Sequence, residues 1–208
     1  MKITKTIAAV LAVSALISCK GETVTSNNTG NMKDNQVIET IMARRSIRKY
    51  TGEPVKRETL QTILECGINA PSGMNKQSWE VRVIDNPEII GKLKGHMIQA
   101  NPESSAQAVE GCFRGAPTLV FIANANDYDF SAIDCGLLSE NIMLSAWSLG
   151  VGSVCLGSPI RYINKSAEAL QMLGFSQGYN PIICIGLGYA DESPEAKPRD
   201  KEKIKFIE

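Results

Sequence analysis

Arg44, Arg45 and Arg48 fall within five consecutive positions. A guanidinium is planar, permanently charged and able to meet an oxyanion through two parallel N–H donors, so three at this spacing can converge on one dianion. The same cluster can also simply complement the negative end of a helix macrodipole and stay solvated. Further along, residues 70–79 form a turn-rich stretch carrying Pro71, Ser72, Gly73, Asn75 and Gln77 directly before Trp79. Asn and Gln each offer a donor and an acceptor, which is what reading the polar edge of a heteroaromatic ring requires. A purely structural loop can have that composition too. His96, the only histidine, sits among Lys92, Lys94 and Met97 and reads as helix surface rather than catalyst. The two Gly-x-Gly pairs at 150–152 and 186–188 lack the third glycine of a dinucleotide fingerprint, and no HExxH, GxSxG or P-loop occurs.

These residues need elements to hold them. Asp34 is a plausible N-cap for a helix marked by Val37, Ile38, Ile41 and Met42, which ends near the arginine cluster. Leu60, Ile63, Leu64 and Ile68 mark a second helix that stops before Pro71. A strand is predicted over 80–84, then a helix opened by Pro87 and running through Ile89, Ile90, Leu93 and Met97. Residues 118–123 read as a strand, and 131–149 as a helix apolar on most of its circumference, which suits a central buried helix. Two more buried strands are expected at 151–156 and 182–187, with a helix over 165–173 between them. Residues 203–208 alternate Ile204 and Phe206 with lysines; this terminal strand has no hairpin partner and needs an edge to join. Trp79 reads as core.

At 208 residues, 43% hydrophobic and 21% charged, the chain fits one globular domain. Its beginning differs in character. Lys2 and Lys5 precede an apolar run of eleven residues, 7–17, too short to cross a bilayer and right for an export signal. Leu16, Ile17, Ser18 and Cys19 complete it and resemble the lipobox of bacterial lipoprotein precursors. The expectation is a signal peptide over 1–18, a lipidated Cys19 and flexible tether over 19–33, and a folded domain over 34–208, held on a membrane in the bacterial cell envelope, facing the periplasm. A plain secretory signal, or a start at Met32 giving a cytosolic protein, are the alternatives. Without the signal, twenty basic and twenty-two acidic side chains remain, which gives no reason to expect nucleic acid as a partner. Cys66, Cys112, Cys135, Cys155 and Cys184 show no metal-ligand or CxxC spacing and read as buried single thiols, with no metal site.

Taken together, Arg44, Arg45, Ser46, Ile47, Arg48, Lys49 and Tyr50, followed by Ala70, Pro71 and Ser72 with Asn75, Gln77 and Trp79, resemble the nitroreductase family. Gly150, Val151, Gly152, Leu156 and Gly157, and later Lys197, Pro198 and Arg199, fit the same pattern. The resemblance implies an α+β, nitroreductase-like fold: a central, mainly antiparallel sheet flanked by helices, in an intertwined homodimer with C-terminal strand exchange and FMN in the interface. By position, Arg44, Arg45, Ser46, Arg48, Lys197 and Arg199 would grip the phosphate and ribityl chain. Pro71, Ser72 and Asn75 would lie beside the isoalloxazine, supported by Gln77, and the backbone at Leu156 and Gly157 would face flavin N5. The implied activity passes a hydride from NAD(P)H through the flavin to an electron-poor acceptor such as a nitroaromatic or quinone. The cofactor carries that chemistry, so no side-chain acid or base need be essential. A different electron donor, reductive dehalogenation or another flavin oxidation, and a membrane-tethered flavin carrier without nicotinamide-driven turnover remain open. Residues 99–114 match no pattern that assigns them a role.

Overall fold

A computed structural model describes residues 35–208; the expected signal segment, Cys19, the tether and Asp34 lie outside them. The layering is set by β2 (Thr118–Ala125), whose side chains alternate between two cores. Leu119 and Phe121 point to one, Val120 and Ile122 to the other, and all four are fully buried. A strand buried on both faces must be apolar throughout and must have helices on either side. On one side lie α3 (Pro87–Ala100), α4 (Ala106–Glu110), α6 (Ser158–Ile163) and α7 (Ala167–Leu173). On the other lie α2 (Arg57–Ile68) and α5 (Ser131–Ser148), with α1 (Gln36–Ala43) laid outside against α5.

The sheet is completed by β1 (Trp79–Ile84), β3 (Gly152–Leu156) and β4 (Tyr179–Gly188), in the order β1-β2-β4-β3. Every pairing is antiparallel. The α+β fold with an antiparallel sheet between helices, expected from the sequence, is the one observed. β4 begins at Tyr179, earlier than the apolar run suggests, because the register shift between Ile122 and Ala123 lets Pro181 sit opposite Ala123 without breaking the ladder. Trp79 is buried in the α2/α5 core, as its size predicts.

Some local expectations are corrected. The cap of α1 is Asn35, whose side chain accepts from the amides of Val37 and Ile38. The helix expected over 165–173 starts at Ala167 behind the cap Ser166, and a separate short helix, α6, precedes it. Helix α4 falls in the stretch that matched no pattern. Residues 203–208 form no strand within the chain: Lys201–Lys203 is a 3-10 turn, after which Ile204, Phe206 and Ile207 are exposed. His96 is half-buried on α3, not fully at the surface. Helix α5 is not enclosed on all sides either. It buries Cys135, Leu138, Ile142 and Ala146 but leaves Ile133 and Leu137 exposed, so a single chain covers only part of its apolar circumference.

Candidate functional site

The arginine segment is stitched to the sheet edge. Helix α1 ends where the Arg44 amide donates to the Thr40 carbonyl. Beyond it, Ser46 pairs in parallel with Ser153 of β3, and Tyr50 pairs antiparallel with Ala190 just after β4. The Thr51 amide donates to Tyr189 and the Asp191 amide to Lys49, so the segment runs between β3 and the chain leaving β4. Ile47 is driven inward and packs so close to Gly152 that a Cβ there would lie 2.9 Å from Ile47 Cγ1. The Tyr50 hydroxyl donates to the Ile47 carbonyl at 2.6 Å. Burial, with the nearby Glu192 carboxylate and against the pull of Arg48, raises the Tyr50 pKa well above that of an ordinary phenol, so this donor stays protonated.

Anchored this way, the segment faces a cavity of ≈ 370 Å³. Arg44, Arg45, Ser46 and Arg48 line it from one side and Lys197 and Arg199 from the other. Glu195 is the one carboxylate in the lining among the described residues. The cations are engaged to different degrees. Arg45 donates through Nη1 to the carbonyls of Met42, Ala43 and Arg44, closing the C-terminal end of α1 as a macrodipole argument anticipates. Arg44 meets Glu140 of α5 at 3.6 Å. Arg48 and Arg199 donate only to the nearby carbonyls of Ser46 and Lys197. Among the described residues, no carboxylate lies within ion-pairing distance of Arg48, Lys197 or Arg199. The backbone amides of Arg48 and Lys49 are held by the Glu192 carboxylate.

Pro71, Ser72, Asn75 and Gln77 do not line this cavity. Their loop is tied instead to the start of α5, where Asp134 accepts from the Gly73 amide at 3.1 Å and from the Ser78 hydroxyl at 2.8 Å. The Ser72 hydroxyl accepts from the Gln77 amide, and the Gln77 carbonyl accepts from the Trp79 amide. Met74, Asn75 and Gln77 all have positive φ, three left-handed non-glycine residues in four positions. Such clustering is costly and persists only where the surroundings over-determine it. The side chains of Asn75 and Gln77 are exposed. Asp134 and Glu140 are six positions apart on α5, about 9 Å along its axis and some 120° apart around it, so the loop and the cation cavity belong to different faces of that helix.

Leu156 and Gly157 also lie outside the cavity lining. The Leu156 side chain is buried in the core, which leaves only its backbone available, and Gly157 is exposed at the start of α6. Cys155, beside them, is exposed, as is Cys66; only Cys112, Cys135 and Cys184 are the buried single thiols expected. Sequence reasoning missed Asp134, Glu140 and Glu192. Asp134 had a legible signal, a carboxylate on the apolar side of a helix, which is rarely buried without partners. Glu192 had none, because only the fold brings it to Arg48.

Comparison with known proteins agrees with this fold. Residues 41–189 match the model of the nitroreductase family. The NADPH-flavin oxidoreductase of Vibrio harveyi is 34% identical over 173 residues, 79% of this chain and 70% of that protein. A nitroreductase solved with bound FMN from Desulfitobacterium hafniense DCB-2 superposes with a TM-score of 0.74 at 30% identity, covering 84% of this chain and 99% of that one. A second, also with bound FMN, from Bacteroides fragilis NCTC 9343, gives 0.73 at 29%, covering 84% and 100%. The chain belongs to the nitroreductase family.

Proposed function

We propose that the chain is an FMN-dependent NAD(P)H oxidoreductase whose cation cavity takes the FMN phosphate. The observation that carries this reading is the convergence of Arg44, Arg45 and Arg48 with Lys197 and Arg199, from opposite ends of the described chain, on one cavity whose lining holds a single carboxylate. That donor set suits a dianionic ester: Arg48, Lys197 and Arg199 hold positive charge that no acid among the described residues pairs with, and Ser46 adds a hydroxyl. Bound FMN would supply the redox chemistry, accepting a hydride at N5 from reduced nicotinamide and passing electrons to a nitroaromatic or quinone. The residues of this chain bind, orient and shield it.

The site is completed by a second copy. Val37, Ile41 and Met42 of α1, which buries no residue, and Ile133 and Leu137 of α5, the helix α1 packs against, present exposed apolar surface that calls for cover on this face. In a homodimer closed over that face, the loop carrying Pro71, Ser72, Asn75 and Gln77 would reach the cavity of the other copy, which accounts for its absence from its own. Ile204, Phe206 and Ile207, exposed at the terminus, would cross to the partner's surface. The backbone at Leu156 and Gly157 would lie toward the ring. A lipid on Cys19 would hold the dimer at the cell envelope, and mass analysis of the mature N-terminus tests that separately.

Purified protein should show a flavin spectrum that NADH or NADPH bleaches without oxygen and that a quinone or nitroaromatic restores. Colourless protein indifferent to added FMN refutes the reading. Bound flavin that neither nicotinamide reduces would favour a different donor or a carrier role.

A further inference from the structure

We propose that Asp134 is a positioning residue that fixes the ring-reading loop in its strained shape, and through it sets the flavin's redox balance. This rests on the FMN reading above. Its carboxylate is 3% exposed and lies in the first turn of an 18-residue helix, where the macrodipole favours a negative charge. Its two oxygens take the Gly73 amide and the Ser78 hydroxyl, one near each end of the loop. Between those ties lie Met74, Asn75 and Gln77, each with positive φ.

Three left-handed non-glycine residues each store backbone strain, so a loop held only by its own hydrogen bonds would relax to other shapes. The clamp also fixes where the loop sits. Gly73 is pressed against Tyr128 so closely that a Cβ would fall 2.0 Å from the Tyr128 hydroxyl oxygen. Below the loop, the Ser131 hydroxyl donates to the Ser78 carbonyl and accepts from the Ala125 amide, which joins the start of α5 to the end of β2. The exposed amides of Asn75 and Gln77 are therefore presented from a rigid base. A donor held in one place against a ring edge discriminates between the oxidised and reduced ring, whereas a mobile donor adapts to both.

The test uses the full chain with Asp134→Ala, Asp134→Asn and Ser78→Ala, reading amide hydrogen exchange over residues 73–77, FMN affinity and flavin midpoint potential. Asp134→Ala is expected to speed exchange at those amides by about tenfold or more and to weaken FMN binding about tenfold. It should also change the oxidised-to-reduced affinity ratio about tenfold, a shift of about 30 mV for a two-electron couple. Asp134→Asn keeps an acceptor for the Gly73 amide and should recover most of each effect. Should Asp134→Ala not fold, Ser78→Ala removes one tie alone and should raise exchange over the same residues. Unchanged loop exchange in a folded variant overturns the proposal, and so does faster exchange with an unaltered potential, which would mark Asp134 as merely structural. Wild-type protein that binds no FMN would sink the functional reading instead, while the exchange measurement would still decide whether the clamp exists.

Discussion

The Ile47 amide donates to the Ser153 carbonyl at 2.9 Å, and this bond ties the arginine segment to the edge of the sheet. Ser46 and Arg48, on either side of Ile47, face the cavity because Ile47 itself faces the core. Gly152→Ala would drive a methyl group into Ile47 at 2.9 Å. Overpacking of this kind costs about 1–3 kcal/mol. The variant should unfold at lower urea and bind FMN several-fold more weakly, because the displaced Ile47 carries its neighbours with it. Lower stability with unchanged FMN affinity would mean that the cations are placed independently of β3.

Removing cations tests the phosphate assignment directly. A charge-assisted hydrogen bond contributes about 1.5–3 kcal/mol, so Arg44→Ala combined with Arg48→Ala should weaken FMN binding by about 100-fold or more. Glu140→Gln should act in the opposite direction, releasing Arg44 from its pair and tightening FMN binding by about two- to fivefold, the scale of a partly exposed ion pair. Flavin fluorescence titration reads both, and wild-type occupancy in the double variant contradicts the assignment.

Cys155 reports on the same charges. Although its surface meets solvent, burial of the sulfur and then the Glu140 carboxylate raise its pKa, while Arg44 lowers it. A raised thiol pKa keeps the reactive thiolate scarce below the ordinary range. Alkylation of Cys155 should therefore stay slow near neutrality and accelerate only at a pH above that at which an ordinary thiol reacts. Glu140→Gln should bring that rise to lower pH, and Arg44→Ala to higher pH. Peptide mass spectrometry after timed iodoacetamide treatment gives the rates, and identical profiles in all three proteins would rule out this coupling.

The buried thiols set a limit on alkaline stability. Burial pushes Cys112 and Cys135 up to about 12, against the opposing effect of Lys94 on Cys112 and with a further rise from Asp134 on Cys135. Their protonated forms favour the folded state fully below the unfolded thiol pKa, near 8.5, and this contribution is lost as pH rises toward 12. The urea midpoint should fall between pH 8.5 and 11, at a rate of order 1 kcal/mol per pH unit for each thiol. Cys112→Ala with Cys135→Ala should be less stable at pH 8 yet decline less steeply. An equally steep decline would assign the alkaline loss to other groups.

Leu137 projects from α5 with 42% of its surface exposed. In the proposed dimer it would be covered, and a carboxylate placed there would have to be desolvated without a partner. Leu137→Glu should shift the protein toward monomer in analytical ultracentrifugation and lower FMN occupancy with it. A monomeric wild-type protein with full FMN occupancy would remove the need for a second copy.

Much of the site was legible along the chain. Arg44, Arg45, Ser46 and Arg48 share one short segment, and the loop at 71–77 announces itself by its turn-forming residues, so both could be recognised from neighbours alone. The strands and longer helices were legible for the same reason, since their apolar periods are local. Legibility failed where the deciding contact is remote. Residues 203–208 have a strand's alternation but pair with no edge among the described residues, and α5 has a core helix's composition with only part of its circumference covered by its own chain.

The amino-acid order by itself determined the cationic segment, the turn-rich loop and most of the individual strands and longer helices, because each follows from side-chain chemistry repeated over a few residues. Only the tertiary structure decided that Lys197 and Arg199 meet the arginines, that Asp134 clamps the loop, and that loop and cavity lie on different faces of α5. Those relations depend on how helices pack on a sheet through contacts between distant residues, and no local pattern encodes them.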